Sequence, residues 1–117
     1  MCIGRGLIMK GIGIDIVSVS RLSDKVADKI LSKKEMSEFN SYLKTDRERA
    51  MEFLGGRLAA KEAYLKAIGV GTYEGVSLPD ISIYKDENGE PKFKDIPNAM
   101  LTISHDAGLA VAVVVIV

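Results

Sequence analysis

The chain is short of the residues that mark secreted, membrane and metal-cluster proteins. It has one cysteine, Cys2, so no intramolecular disulfide can form, and the chain reads as cytoplasmic. It has one histidine, His105, which argues against a His/Cys zinc site, and no Cys-His or Ser-His-Asp arrangement is suggested. No stretch approaches the roughly 18 apolar residues of a membrane span, and the N-terminus lacks the apolar run of a secretory signal. A soluble protein with no membrane span is expected. Sixteen Lys and Arg residues balance sixteen Asp and Glu residues. Zero net charge argues against a nucleic-acid partner and makes any charged patch a local matter.

The 117 residues suit one domain with one core. Residues 1–8 precede a second methionine, Met9, and read as an N-terminal extension. Residues 10–17 alternate strictly, with Ile12, Ile14 and Ile16 on one face and Gly11, Gly13, Asp15 and Val17 on the other, which predicts a strand. The glycines leave the second face open to close backbone approach beside Asp15. From Arg21, Leu22, Val26 and Ile30 recur every four residues, as in a helix, beside a row of Arg21, Lys25 and Lys29. Residues 33–42 read as one or two short helices, and a long helix is predicted over 46–68, closed by Gly69-Val70-Gly71. Gly55-Gly56 inside it implies a kink or a close approach. A hairpin follows, turning at Asn88-Gly89. A strand is predicted at 99–104, a turn at 105–108 and a buried central strand at 109–117. The order implies an α+β fold, a largely antiparallel sheet packed on a long helix.

Glu62 breaks the apolar stripe of that helix, which is Met51, Leu54, Leu58 and Leu65. A carboxylate at the margin of a core needs a cation or donors. Lys66 one turn on could pair with it, and a metal is the alternative. Asp15, among isoleucines and glycines, also needs a partner, and the two carboxylates together offer hard oxygen ligands for Mg²⁺. Arg57, Lys61 and Lys66 around Glu62 form either a salt-bridge ladder or, with Gly69 and Gly71, a polyphosphate cradle. His105 and the hydroxyls of Thr102 and Ser104 are either structural or donors to a phosphate. The row Arg21, Lys25 and Lys29, interleaved with Asp24 and Asp28, is either a solvated face or a dock for an acidic helix.

Three stretches in order resemble a known family: Gly11-Ile-Gly-Ile-Asp15 with Arg21 beyond it, Gly56-Arg-Leu-Ala-Ala-Lys-Glu62-Ala-Tyr-Leu-Lys66, and Ile103-Ser104-His105. Together they are similar to the holo-[acyl carrier protein] synthases, the short bacterial 4′-phosphopantetheinyl transferases. The resemblance implies transfer of the phosphopantetheine arm of coenzyme A to a serine of apo acyl carrier protein, with Mg²⁺ as cofactor and adenosine 3′,5′-bisphosphate as the second product. It implies that Asp15 and Glu62 hold the metal and that Lys66 and His105 contact phosphate. Arg57, Lys61, Ser104, Gly69 and Gly71 are expected near coenzyme A, and Arg21, Lys25 and Lys29 at the carrier. The serine proton is expected to leave through a water held by Glu62, or to Glu62 directly. The resemblance further implies a homotrimer with sites between subunits. Where the family often has an aromatic residue four positions after the histidine, this chain has Leu109. A carrier-binding module without turnover and a Mg²⁺-dependent pyrophosphate hydrolase are the alternatives.

Overall fold

The computed structural model describes residues 8–70 and 76–117. Strand β1 (Gly11–Ser18) leads through two short 3₁₀ turns into α1 (Ala27–Ile30), α2 (Lys33–Leu43) and the long α3 (Arg47–Ala67). A small hairpin, β2 (Ile83–Lys85) and β3 (Pro91–Phe93), precedes β4 (Ala99–Asp106) and β5 (Leu109–Ile116). Strands β1, β5 and β4 form an antiparallel sheet in that order, with Asp15 opposite Ala112 and Ile103 opposite the same alanine from the other side. The fold is α+β and antiparallel as expected, with β5 central.

Helix α3 begins at the N-cap Asp46, whose carboxylate accepts the Arg49 N–H. It ends in a Schellman motif: Val70 N–H bonds Leu65 O, Gly69 N–H bonds Lys66 O, and Gly69 takes φ +76°. The helix runs unbroken through Gly55-Gly56. Those glycines mark close approaches, since a Cβ at Gly56 would lie 2.9 Å from His105 Nε2 and one at Gly55 3.1 Å from Val19.

The open face of β1 is filled by α3 itself. A Cβ on Gly13 would overlap the Ala63 carbonyl oxygen, and one on Gly11 would overlap that of Ala67. Glycine on the strand, with Ala59, Ala60 and Ala63 on the helix and Ala110 and Ala112 on β5, brings helix and sheet backbones together. Because the glycine face is the inner one, Ile12, Ile14 and Ile16 point outward and are 58–60% exposed, as is Met100 at 59%. Alternation along the paired strands puts Val111, Val113 and Val115 on this outer face too. The expectation that β5 is buried on both faces holds only for its inner residues, Ala110, Ala112, Val114 and Ile116.

The periodic run after Arg21 is not one helix. It breaks at Leu22, which is extended, and resumes as a 3₁₀ turn capped by Ser23 and then the single turn α1. Its apolar spacing survives because Leu22, Val26 and Ile30 still face α3. Helix α2 is one helix, opened by a capping box between Ser32 and Glu35.

Candidate active site

Two sites lie along α3. The first is an open groove of about 560 Å³ between β1, α1 and α3, lined by Asp15 and Glu62 together with Leu22, Val26, Lys29 and Leu58. Asp15 reaches it because its strand face looks at the helix. The Lys66 ammonium donates to Asp15 Oδ1 at 3.1 Å and to Ile14 O at 3.0 Å. Lys66 is half exposed while Asp15 is 18% exposed, so the lysine comes in from solvent to a mostly covered carboxylate. Lys29 lines this groove, and Arg21 and Lys25 belong to the same segment, with Arg21 exposed. Among the described residues no group of three or more His, Cys, Asp or Glu side chains could hold a metal by itself.

The second site is a cavity of about 320 Å³ between the N-terminal half of α3, the end of β4 and the β2–β3 hairpin. Its basic side chains are Arg49, Arg57, Lys85 and His105, against Glu52. Two of them rest on aromatic rings: Arg49 is 4.8 Å above the Tyr42 ring and Arg57 is 4.4 Å above Phe53. Arg57 is buried, and its Nε and one Nη group have no hydrogen-bond partner. Burial lowers its pKa from the ordinary guanidinium value, against the pull of Glu38 and Glu35, yet a guanidinium remains a cation at neutral pH. Its nearest carboxylate oxygen, Glu35 Oε2, is 3.9 Å from Nε, an ion pair too long for a hydrogen bond, and buried donors left without hydrogen bonds in a cationic pocket favour an anion. His105 Nε2 lies 2.9 Å from the Glu52 carbonyl, which can only accept, so that nitrogen carries the proton and Nδ1 is left for another partner.

The structure corrects several sequence expectations. His105 belongs to strand β4, not to a turn; the turn is Ala107-Gly108, both with positive φ. Ser104 is on the opposite face of β4 from His105, outward with Thr102 and Met100, so it does not join His105 in a donor cluster. Gly69 terminates the helix and is exposed, its glycine explained by φ; Gly71 lies outside the described residues. Lys66 pairs with Asp15 across to the strand.

Lys61 is the largest correction. It is 0% exposed and its ammonium is engaged on three sides, with Glu35 Oε1 and Ile30 O at 2.6 Å and Leu78 O at 3.0 Å. Burial lowers its pKa from 10.5 despite Glu35. No donor remains for a phosphate, so Lys61 leaves the coenzyme A set. Glu35, 1% exposed, also accepts from Ser32 N at 2.7 Å and Ile83 N at 2.9 Å. Sequence reasoning missed Glu35, although Ser32-x-x-Glu35 is a readable capping box. It also missed Arg49 and Lys85, which carry no pattern beyond ordinary surface charge.

A carboxylate pair in a groove and a cationic pocket on the same helix are the equipment of an enzyme that handles a multiply phosphorylated substrate. Comparison with known proteins specifies it. Residues 11–114 match the family model of the 4′-phosphopantetheinyl transferase superfamily. The chain is 43% identical to the holo-[acyl-carrier-protein] synthase of Geobacillus kaustophilus, over 91% of this chain and 87% of that one. It is 37% identical to that of Staphylococcus aureus, over 93% and 96%. Among solved structures it is similar to the Bacillus anthracis synthase in complex with CoA (3′,5′-ADP), with TM-score 0.82 and 38% identity over 92% of this chain and 96% of that one. The Helicobacter pylori synthase in complex with coenzyme A matches with TM-score 0.73 and 34% identity, over 91% and 99%. The chain belongs to the holo-[acyl-carrier-protein] synthases, enzymes of the phosphopantetheinyl transferase superfamily.

Proposed function

We propose that the protein moves the 4′-phosphopantetheine group of coenzyme A onto a serine of an apo acyl carrier protein in the cytoplasm, with Mg²⁺, releasing adenosine 3′,5′-bisphosphate. The observation that carries this reading is the groove shared by Asp15 and Glu62, with the Lys66 ammonium already bonded to Asp15. The donor set fits Mg²⁺: two hard carboxylates lining one groove, few enough to leave coordination positions for water and phosphate oxygens. Held by Asp15 and Glu62, the ion would supply Lewis-acid stabilisation of the negative charge gathering on the pyrophosphate.

The chain's own residues supply the rest. Lys66, on a flexible and half-exposed stem, turns from Asp15 to a phosphate oxygen and carries positive charge to the reacting phosphorus. Glu62 draws the serine proton away as the hydroxyl oxygen attacks, directly or through a water. Arg49, Arg57 and His105 hold a second phosphate of coenzyme A, whose phosphates sit at two separated places on the molecule. Lys29, which lines the groove, and the exposed Arg21 and Lys25 of the same segment meet the acidic carrier.

The groove and the cationic pocket are distinct cavities of one chain, and the outer sheet face is an exposed ladder of Ile12, Ile14, Ile16 and Met100. Such a patch favours self-association. We infer a homotrimer in which the groove of one copy faces the pocket of another.

The test is chromatographic. Protein, coenzyme A and Mg²⁺ are incubated with and without apo carrier, and adenosine 3′,5′-bisphosphate is measured. Release only with carrier supports the transferase. Release without carrier points to a pyrophosphate hydrolase, and carrier binding without release points to a module that has lost turnover.

A further inference from the structure

We infer that Lys61 is a positioning residue: it clamps the walls of the Asp15–Glu62 groove and fixes the rotation of α3 that aims Glu62 into it. The inference rests on the transferase reading for what the groove does. Two of the three acceptors of the Lys61 ammonium are the backbone carbonyls of Ile30 and Leu78. Ile30, at the end of α1, and Leu78, in the 3₁₀ turn Leu78–Asp80, both line the groove. The third acceptor, Glu35, is itself held by Ser32 N–H and Ile83 N–H. One ammonium therefore ties α1, α2, the 3₁₀ turn and, through Glu35, β2 to α3.

Glu62 follows Lys61 directly, about 100° further round the helix. A helix anchored by three short bonds at Lys61 cannot rotate without breaking them, so the direction of the next side chain is set. Apolar residues would fill the same buried volume without the cost of removing two charges from water. What they cannot do is hold two loop carbonyls at one point, because dispersion contacts have no direction. That directional hold distinguishes the pair from ordinary core.

The test uses K61M, E35Q and E35Q/K61M in the intact enzyme. K61M leaves the buried Glu35 carboxylate with only Arg57, 3.9 Å away, as a cation, and its Tm should fall on the order of 15 °C. E35Q alone strands the Lys61 ammonium and should lower Tm in the same way. E35Q/K61M removes both charges, but the introduced amide has one oxygen where the Ser32 and Ile83 N–H groups use separate Glu35 oxygens, so its Tm should recover only part of the loss, to roughly 5 °C or more above either single variant. Assayed at a temperature where it is fully folded, the double variant should still lose at least tenfold in kcat with Mg²⁺, coenzyme A and carrier saturating. KM for coenzyme A is read separately from kcat, because Glu35 Oε2 also lies 3.9 Å from Arg57 Nε and its loss alters the cationic pocket. Hydrogen exchange at the Leu31 and Ile81 amides, which bond within the two clamped turns, should speed up at least tenfold. A purely structural role predicts the parent kcat wherever the variant is folded. Recovery of kcat to within twofold, or unchanged exchange at both amides, overturns the inference. An inactive parent enzyme counts instead against the transferase reading, and exchange still reports the clamp without turnover.

Discussion

Gly13→Ala tests the contact on which the groove depends. The added methyl would overlap Ala63 O and stand 2.7 Å from Ala67 N, where 3.0 Å is the practical minimum, so β1 and α3 must part by about 1 Å. A radial gap of that size forfeits roughly a quarter to a half of the dispersion energy between the facing atoms. It does so along an interface that includes Ala59, Ala60, Ala63, Ala110 and Ala112, none of which can swing a side chain into the space. Ordinary overpacking costs about 1–3 kcal/mol, and an obstacle made of backbone belongs at or above the top of that range, about 3–4 kcal/mol. Urea unfolding at one fixed protein concentration should show the midpoint falling by about 2 M with an unchanged slope. Asp15 lies two residues along the same strand, so transferase activity should fall at temperatures where the variant is still folded. A midpoint within about 0.5 M of the parent would refute the argument that glycine is required for the strand to meet the helix.

Arg57→Met should raise KM for coenzyme A by roughly 10- to 100-fold, the value of a charged hydrogen bond, in steady-state kinetics. Stability should stay within about 2 kcal/mol, because losing the long Glu35 ion pair and the Phe53 contact is offset by losing buried donors that make no hydrogen bond. A KM within twofold of the parent would remove Arg57 from the site. Ile14→Glu puts a charge at the centre of the outer sheet face, and light scattering should show the particle mass dropping to that of a single chain; an unchanged mass would show that the face is not the contact. The Asp86 carboxylate is held below 3.8 first by the Glu90 N–H, with the Asn88 N–H and Lys92 adding to it. Its support of the hairpin turn is complete above pH 3.8 and is lost as pH falls through the lowered pKa. The Asn88 and Glu90 amide resonances should titrate below pH 3.8 and stay flat in Asp86→Ala; an inflection above 3.8 would contradict the bonds.

The fold was legible where local chemistry decides it. Strict alternation marked β1, Asp46 and Gly69 bracketed α3, and Asn88-Gly89 marked the hairpin. Asp15 and Glu62 were legible as misfits, since each puts charge where its neighbours are apolar. What the pattern could not convey was which side of an element meets which neighbour. Ile12, Ile14 and Ile16 look like a core face and Gly11 and Gly13 like a gap, yet the gap is where α3 lies and the isoleucines face out. Lys61 next to Glu62 reads like a phosphate cation, because nothing local reveals that Glu35, 26 positions earlier, and the carbonyls of Ile30 and Leu78 enclose it. His105 and Ser104 are adjacent in sequence, and the two-residue period of a strand separates them. The misses are long-range pairings and face assignments.

The most direct test of the central claim, that Asp15 and Glu62 form the reaction centre, is the intact mass of an apo carrier protein after incubation with coenzyme A and Mg²⁺. The parent enzyme should add one phosphopantetheine group to one serine, while Asp15→Asn and Glu62→Gln, folded by circular dichroism, should lower the rate by about 100-fold or more, the loss expected when a main electrostatic element goes. Addition by either variant at near the parent rate would contradict it.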